Sequence, residues 1–400
     1  MDSGPIEEVH PVKALRILNF LFVALCVLLT VAALASGIPY LGVFGTAILP
    51  SFAPWFATVP LALEALLLWR ASPSDVRSQC SLSLATVFVS AACLFVLADV
   101  KHCANKAGIG LDVLPLFSLH TATSGLQPRE SITYNTDEHG PLRMAVYRPK
   151  LRGSGKPAAI IVNIHGGGWI SGKYSDHDRD MQWYADQGWL VLSAQYTLSD
   201  SGSHLWDRTP QQIGCVLAWV YKNGAMLGGD PERVSMIGDS AGGNLALNSA
   251  FQADHGTLTS SCGGTIPKVA AVVTTYPVVD AVAFYESRDA LLSGFAKQMT
   301  SQYTGGTPAR YPERYASISS RTYLTAAAPP FLVLEGAADH LVPPAATYAL
   351  INEAKALGVQ ADMIRVPFGE HGFDAMFGSA GNQLVRKATV AFLIAHGQQP

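Results

Sequence analysis

Charge is scarce in this chain, and the scarcity is local. Charged residues make up 14% of the 400 residues, against about 25% in an ordinary soluble domain. No Asp, Glu, Lys or Arg occurs between Arg16 and Glu64, and none between Arg77 and Asp99. With a net charge of −3, nothing in the sequence argues for a nucleic-acid partner. Cysteine is sparse as well. Cys26 and Cys93 lie in the uncharged stretches, Cys80 sits at the edge of one, and Cys103, Cys215 and Cys262 are too scattered to read as a disulfide framework. No Asn-x-Ser/Thr acceptor occurs, as fits a bacterial chain.

What the uncharged stretches do have is hydrophobic length. Residues 17–36, ILNFLFVALCVLLTVAALAS, match the ~20 residues a helix needs to cross hydrocarbon, and 81–98 is a second candidate. Between them, 41–69 is too long for one span and too short for two, and Pro50, Pro54 and Pro60 punctuate it. The expected arrangement is a short interfacial or re-entrant piece followed by a span over about 52–69. Residues 1–105 then form an all-α transmembrane domain of three spans. A competing reading makes 1–35 a cleaved signal peptide with an A-x-A site at Ala33 and Ala35. The length of the first apolar run and the two that follow favour spans. Glu64 lies inside the second span, where a carboxylate is a functional candidate by default. It is also near Arg70 at the span's end, and a protonated or paired acid is the plainer reading. Lys13, Arg16, Arg70 and Arg77 fall on one side of the spans, and Lys101 and Lys106 on the other. That bias places the N-terminus in the cytoplasm and the C-terminal domain outside it.

Past Lys106 the composition becomes that of a soluble domain, with 106–130 as a linker or cap segment and 131–400 as the folded unit. β-like runs fall at 132–135, 143–148, 159–164, 189–194, 233–237, 269–275, 331–336 and 361–366. Helical patterns fall around 177–187, 210–226, 241–253, 344–357 and 380–396. Strands separated by helices predict a mostly parallel sheet covered on both faces. Ligands of such sheets bind beyond the carboxyl ends of the strands.

Four segments sit at those ends. In VSMIGDSAGGNLAL, residues 234–247, a strand-like run turns into a helix-like one around Ser240, with Gly238 and Gly242 two residues to either side. That is the G-x-S-x-G elbow, in which a tight turn tolerates no bulk and lifts the hydroxyl toward a helix N-terminus. His165-Gly166-Gly167-Gly168-Trp169 follows the run 159–164, and consecutive glycines can present backbone N–H groups to an oxyanion. A serine nucleophile needs a base and the base an orienting acid. Asp339 follows the run 331–336 and His371 follows 361–366, in the order Ser, acid, His. Glu335, His340, Glu370, Asp374 and His396 are rivals better read as neighbours or surface residues.

HGGGW, GDSAGGN, the D-x-L-V-P segment at Asp339 and the late HGF at His371 together resemble the hormone-sensitive-lipase-like carboxylesterases of the α/β-hydrolase superfamily. They are similar also to the acetyl- and feruloyl-esterase branch, and the likeness covers roughly 130–400. It implies an α/β-hydrolase fold, Ser240 as nucleophile, His371 as base and Asp339 as orienter. Gly167, Gly168 and the N–H of Ala241 would form the oxyanion hole. Asp230 and Pro231, in GGDPERV, match the segment before the nucleophile strand. The loop Tyr196-Thr197-Leu198-Ser199-Asp200-Ser201 departs from the Y-R-L-A-P-E usual there. The aromatic-rich 280–328 is expected to cover the pocket. The resemblance calls for no metal and no organic cofactor.

The function expected is therefore a membrane-anchored serine carboxylic-ester hydrolase, with a hydrophobic lipid or aryl ester as substrate and the bilayer as its platform. An acyltransferase using the same triad with an alcohol acceptor, or a non-catalytic receptor or scaffold that keeps the fold, are the alternatives.

Overall fold

A computed structural model describes residues 11–69, 76–122, 130–150 and 156–400. Arg70 and residues 123–129 of the linker lie outside the described residues.

Three helices open the chain: α1 (Pro11–Leu34), α2 (Leu41–Trp69) and α3 (Val76–Lys106). All three are long and apolar enough to cross a membrane. The proline-punctuated stretch expected to divide is one continuous helix, with Pro50, Pro54 and Pro60 inside it. Each proline removes one backbone donor and crowds the carbonyl one turn before it. Where neighbouring helices and side chains re-satisfy the freed carbonyls, such a helix survives. Thr58 also donates its hydroxyl to the Pro54 carbonyl one turn earlier, at 2.8 Å. Small residues bring α1 and α2 together: a Cβ on Gly45 would lie 2.3 Å from the Ala33 backbone nitrogen. Glu64 is buried and joins all three helices, accepting from Asn19 of α1 at 3.1 Å and Ser83 of α3 at 2.6 Å.

The remainder is an eight-stranded sheet: β1 (Ser131–Asp137), β2 (Gly140–Tyr147), β3 (Ala158–Ile164), β4 (Leu190–Ala194), β5 (Gly229–Asp239), β6 (Ala271–Thr275), β7 (Phe331–Gly336) and β8 (Ala361–Val366). Its order is β1-β2-β4-β3-β5-β6-β7-β8. The β1–β2 and β2–β4 pairs are antiparallel and the other five are parallel. The helices α4 (Asp178–Asp186), α5 (Thr209–Asn223), α6 (Ser240–His255), α10 (Pro344–Ala356) and α11 (Ala380–Ala395) follow strands. Between β6 and β7 run α7 (Ala281–Tyr285), α8 (Ser293–Thr304) and α9 (Pro312–Ile318).

Side chains of successive strand residues enter opposite cores, as the two-residue period requires. Ile160, Val162 and Ile164 of β3 pack with Val216 of α5, Leu245 of α6 and Leu350 of α10. Ala159 and Ile161 pack with Tyr184 of α4 and Leu384 of α11. Ala104, near the end of α3, belongs to the second cluster, so the helical half continues into the core of the sheet half. A disulfide links Cys215 of α5 to Cys262, with 5.4 Å between Cα atoms. Forty-seven residues separate the two, a spacing that gave no hint of their pairing.

Candidate active site

The site starts at the junction of β5 and α6. Helix α6 begins at Ser240 directly after the strand, which forces Ser240 to φ 52°, a left-handed conformation that costs a non-glycine residue energy and is held only by its surroundings. Both flanking glycines are obligatory. A Cβ on Gly242 would lie 2.1 Å from the Ile164 carbonyl oxygen, and one on Gly238 would lie 2.7 Å from the Gly242 carbonyl. The steric reading of the motif is thus a property of the packing of β3 against the elbow.

Gly166, Gly167 and Gly168 follow β3, whose neighbour in the sheet is β5. The side chain of Asp239 accepts from the Gly166 N–H at 3.0 Å and leaves no room for a Cβ there. Asp239 therefore locks the glycine loop to the elbow, a role its position beside the serine did not reveal. Gly167 and Gly168 take φ 107° and 61°, and Met299 of α8 occupies the space a Gly168 side chain would need. His165 is buried and stacks on Tyr196 at 4.3 Å, and the Tyr196 hydroxyl donates to the His165 carbonyl at 3.0 Å. Burial holds the His165 imidazole below its ordinary value, so it is neutral and structural. Ala241, on the first turn of α6, completes the set expected for an oxyanion hole.

Asp339 and His371 lie in the loops after β7 and β8. These strands are adjacent and parallel, so the loops meet: Ala338 N–H donates to the Gly369 carbonyl at 2.9 Å, and a Cβ on Gly336 would lie 2.5 Å from that oxygen. The Asp339 carboxylate uses Oδ1 to accept the N–H groups of Leu341 and Val342 at 2.9 and 2.8 Å. Its Oδ2 faces His371 Nδ1 at 2.8 Å, and His371 Nε2 faces Ser240 Oγ at 3.0 Å. A carboxylate can only accept, so His371 carries its proton on Nδ1 and presents a lone pair to the serine. Burial disfavours the charged imidazolium, but the charge and hydrogen bond of Asp339, with Glu335 and Asp239 further off, outweigh it and hold His371 above its ordinary value.

The rivals have other partners. Glu335 is fully buried in β7, accepts from Thr347 at 2.7 Å, and is pushed up to about 8 by burial and by Asp339. Asp374 accepts from the Tyr276 hydroxyl at 2.6 Å, and the Tyr276 ring lies 4.4 Å from that of His371. His396 bonds within α11 and to Gln360. Asp230 pairs with Arg233 at 2.9 Å near the start of β5. His340 and Glu370 pair with each other. In the loop that departs from the expected Y-R-L-A-P-E, Ser199 is buried, donates its N–H to the Trp169 carbonyl at 2.9 Å and accepts from Leu205 at 3.0 Å. Trp169 stacks flat on Tyr303 of α8 at 4.7 Å, with Phe284 of α7 edge-on at 6.3 Å. The segment between β6 and β7 thus packs directly over the glycine loop. Among the described residues, no group of three His, Cys, Asp or Glu could hold a metal ion.

The BD-FAE family profile matches residues 144–353, more than half of the chain. The chain belongs to the BD-FAE family. It is 28% identical over 232 residues to the esterase LipC of Mycobacterium tuberculosis, covering 56% of this chain and 55% of LipC. Hormone-sensitive lipase of Ictidomys tridecemlineatus is 28% identical over 128 residues, 32% of this chain and 16% of that one. These relatives bear out the resemblance to the hormone-sensitive-lipase-like carboxylesterases. Est2 of Thermogutta terrifontis, solved with propionate bound, superposes with a TM-score of 0.56 at 22% identity, covering 69% of this chain and 97% of Est2. The shared fold is that of the α/β-hydrolases. The chain spans about half the length of the mycobacterial relatives it matches.

Proposed function

We propose that this BD-FAE-family chain is a membrane-anchored serine carboxylic-ester hydrolase working through an acyl-enzyme. The observation that carries the reading is the unbroken line from Ser240 through His371 to Asp339, with contacts of 3.0 and 2.8 Å. His371 Nε2 takes the hydroxyl proton as Ser240 Oγ attacks the ester carbonyl. The N–H groups of Gly167, Gly168 and Ala241 receive the oxyanion. His371 then gives its proton to the departing alcohol, and the ester C–O bond breaks to leave an acyl-Ser240. Water, deprotonated by His371, releases the acid. The names of the relatives, LipC and LipQ among them, support ester hydrolysis.

Residues 1–105 form the membrane domain in this reading, 106–130 the linker, and 131–400 the catalytic domain with its cap at about 280–328. The catalytic domain is extracytoplasmic. Four basic residues on one side of the spans against two on the other support this orientation, and so does the Cys215–Cys262 disulfide, a bond that persists in oxidising compartments. The substrate is a hydrophobic ester, lipid or aryl, delivered from the bilayer. Val113, Leu114 and Leu119 are exposed beside the helical domain, where Phe117 packs edge-on against Trp55 of α2 at 5.5 Å. The same segment runs on to pair with the stretch after His371, through Thr121 and Met376. An apolar lip is thereby placed next to the catalytic loops, and each CH₂ of an acyl chain buried there contributes roughly 0.8 kcal/mol.

The test is a panel of esters of graded acyl length offered to the full chain in liposomes, with a membrane-partitioned and a water-soluble ester compared directly. Faster turnover of the partitioned ester is expected. Equal turnover of both would remove the lipid delivery, and no turnover of any ester would remove the hydrolase. A fluorophore that matures only in the cytosol should be dark after Pro400, and brightness there would reverse the orientation.

A further inference from the structure

Two rivals for the triad, His340 and Glu370, occupy a position the mechanism does not use. His340 follows the acid Asp339 directly, and Glu370 directly precedes the base His371. Glu370 is 3% exposed. Its Oε1 accepts two backbone N–H groups, of His340 at 2.8 Å and of His371 itself at 3.1 Å. One carboxylate oxygen thus brackets the two catalytic loops.

The other oxygen reaches into the helical half. Oε2 lies 2.5 Å from His340 Nδ1 and 2.5 Å from the hydroxyl of Thr46, a buried residue of α2. His340 Nε2 in turn lies 3.0 Å from the carbonyl of Ser36, in the turn between α1 and α2. A carbonyl only accepts, and so does an ionised carboxylate, so both ring nitrogens of His340 must carry protons. The hydrogen bond to Glu370, opposed by burial and aided by the Glu370 charge, pushes His340 up to about 9. Thr46 has one proton and two further acceptors, the carbonyls of Gly42 at 2.9 Å and Val43 at 3.3 Å. The charged and closer oxygen holds it. Gly42 is shaped for this arrangement, since a Cβ there would lie 1.8 Å from the Ser36 oxygen. Phe368 of the base loop, at φ 56°, also sets its ring edge-on against Phe95 of α3 at 6.1 Å.

We propose that the helical domain is part of the catalytic scaffold: Thr46 and Ser36 are positioning residues that, through Glu370 and His340, hold the loops of Asp339 and His371 in register with Ser240. This rests on the triad reading above. It makes the helices more than an anchor. Any movement of the α1–α2 turn is passed to the catalytic base through a chain of hydrogen bonds ending on the His371 backbone.

The test uses the full chain in liposomes and reads two quantities: kcat and KM for a water-soluble ester, and the rate at which a fluorophosphonate labels Ser240. Thr46→Val removes only the hydroxyl. It should lower kcat and the labelling rate about tenfold at unchanged KM, less than the ~100-fold that a misplaced catalytic geometry can cost. Thr46→Ser should restore both. In Glu370→Gln, which falls further, adding Thr46→Val should cost nothing more, because the two act along one path. Should Thr46→Val lack a cooperative thermal transition, His340→Gln, which removes the ring contact to the Ser36 carbonyl at a half-buried position, reads the same coupling and should lower kcat and labelling likewise. Wild-type labelling and kcat in Thr46→Val, or independent losses in the double variant, would overturn the proposal. A wild-type chain that no fluorophosphonate labels would instead overturn the reading of Ser240.

Discussion

The helical half and the sheet half use buried polar side chains in different ways. In the sheet half three of them meet at the carboxyl ends of β5, β7 and β8, where Ser240, Asp339 and His371 form an unbroken line of hydrogen bonds. In the helical half two of them bridge elements: Glu64 joins α1, α2 and α3, and Thr46 joins α2 to Glu370. A polar group away from water is costly when unpaired, and Glu64 and Thr46 meet that cost with partners on other elements. A polar residue in the first setting is read by its motif, and in the second by its partner.

The sharpest way to test that contrast is to remove one residue of each kind. Ser240→Ala and His371→Ala should each lower kcat by about 10⁴-fold or more, with little further loss in the double variant, because the triad acts as a unit. Asp339→Asn should be severe as well, since it releases the imidazole from its orientation. Glu64→Leu should leave kcat within about twofold. It should destabilise the chain by roughly 1–3 kcal/mol, because Asn19 and Ser83 lose their acceptor. The kinetic assay and thermal unfolding in the same detergent separate the two outcomes. A Glu64→Leu variant with lost turnover and unchanged melting would erase the contrast.

Glycine offers a second contrast, next in size. Gly242→Ala should cost about 3 kcal/mol or more, since the new methyl would lie 2.1 Å from the Ile164 carbonyl against a rigid strand. Gly294→Ala in α8 meets nothing within 4 Å and should be silent or slightly stabilising by thermal melting. Equal effects would mean that the elbow relaxes as freely as a surface helix.

The smallest effect concerns pH. His371 must be neutral to act as base, and its surroundings hold it above the ordinary imidazole value of about 6.5. The acid limb of kcat/KM should therefore have its midpoint above that value, with activity rising as pH rises through it. Asp339→Asn removes the charge that raises it and leaves burial, which lowers it, so residual activity should have its midpoint moved down. An upward or absent shift in that variant would show that Asp339 is not the group setting the base.

What could be read from the sequence divides along the same line. The alternation of β-like and helical runs disclosed a mostly parallel sheet, because a strand covered on both faces such as β3 is apolar at every position but Asn163, and the resemblance of the motifs implied the α/β-hydrolase fold. The elbow was legible because sterics demand Gly238 and Gly242. Asp239 was not, although it stands beside Ser240, because its partner Gly166 is 73 residues away. The Cys215–Cys262 bond was hidden for the same reason, and so was the link from Thr46 to Glu370 across 324 residues. The prolines of α2 misled in the other direction, since in a helix bundle neighbouring helices and side chains can re-satisfy the backbone groups that a proline frees.

In the proposed reaction Ser240 becomes covalently acylated. The most direct measurement is mass spectrometry of the full chain quenched during turnover of a slowly deacylated aryl ester. An acyl adduct on the peptide containing Ser240, absent in Ser240→Ala and slower to form in His371→Ala, is the expected result. Steady ester turnover with no adduct on that peptide, or turnover undiminished in Ser240→Ala, would contradict it.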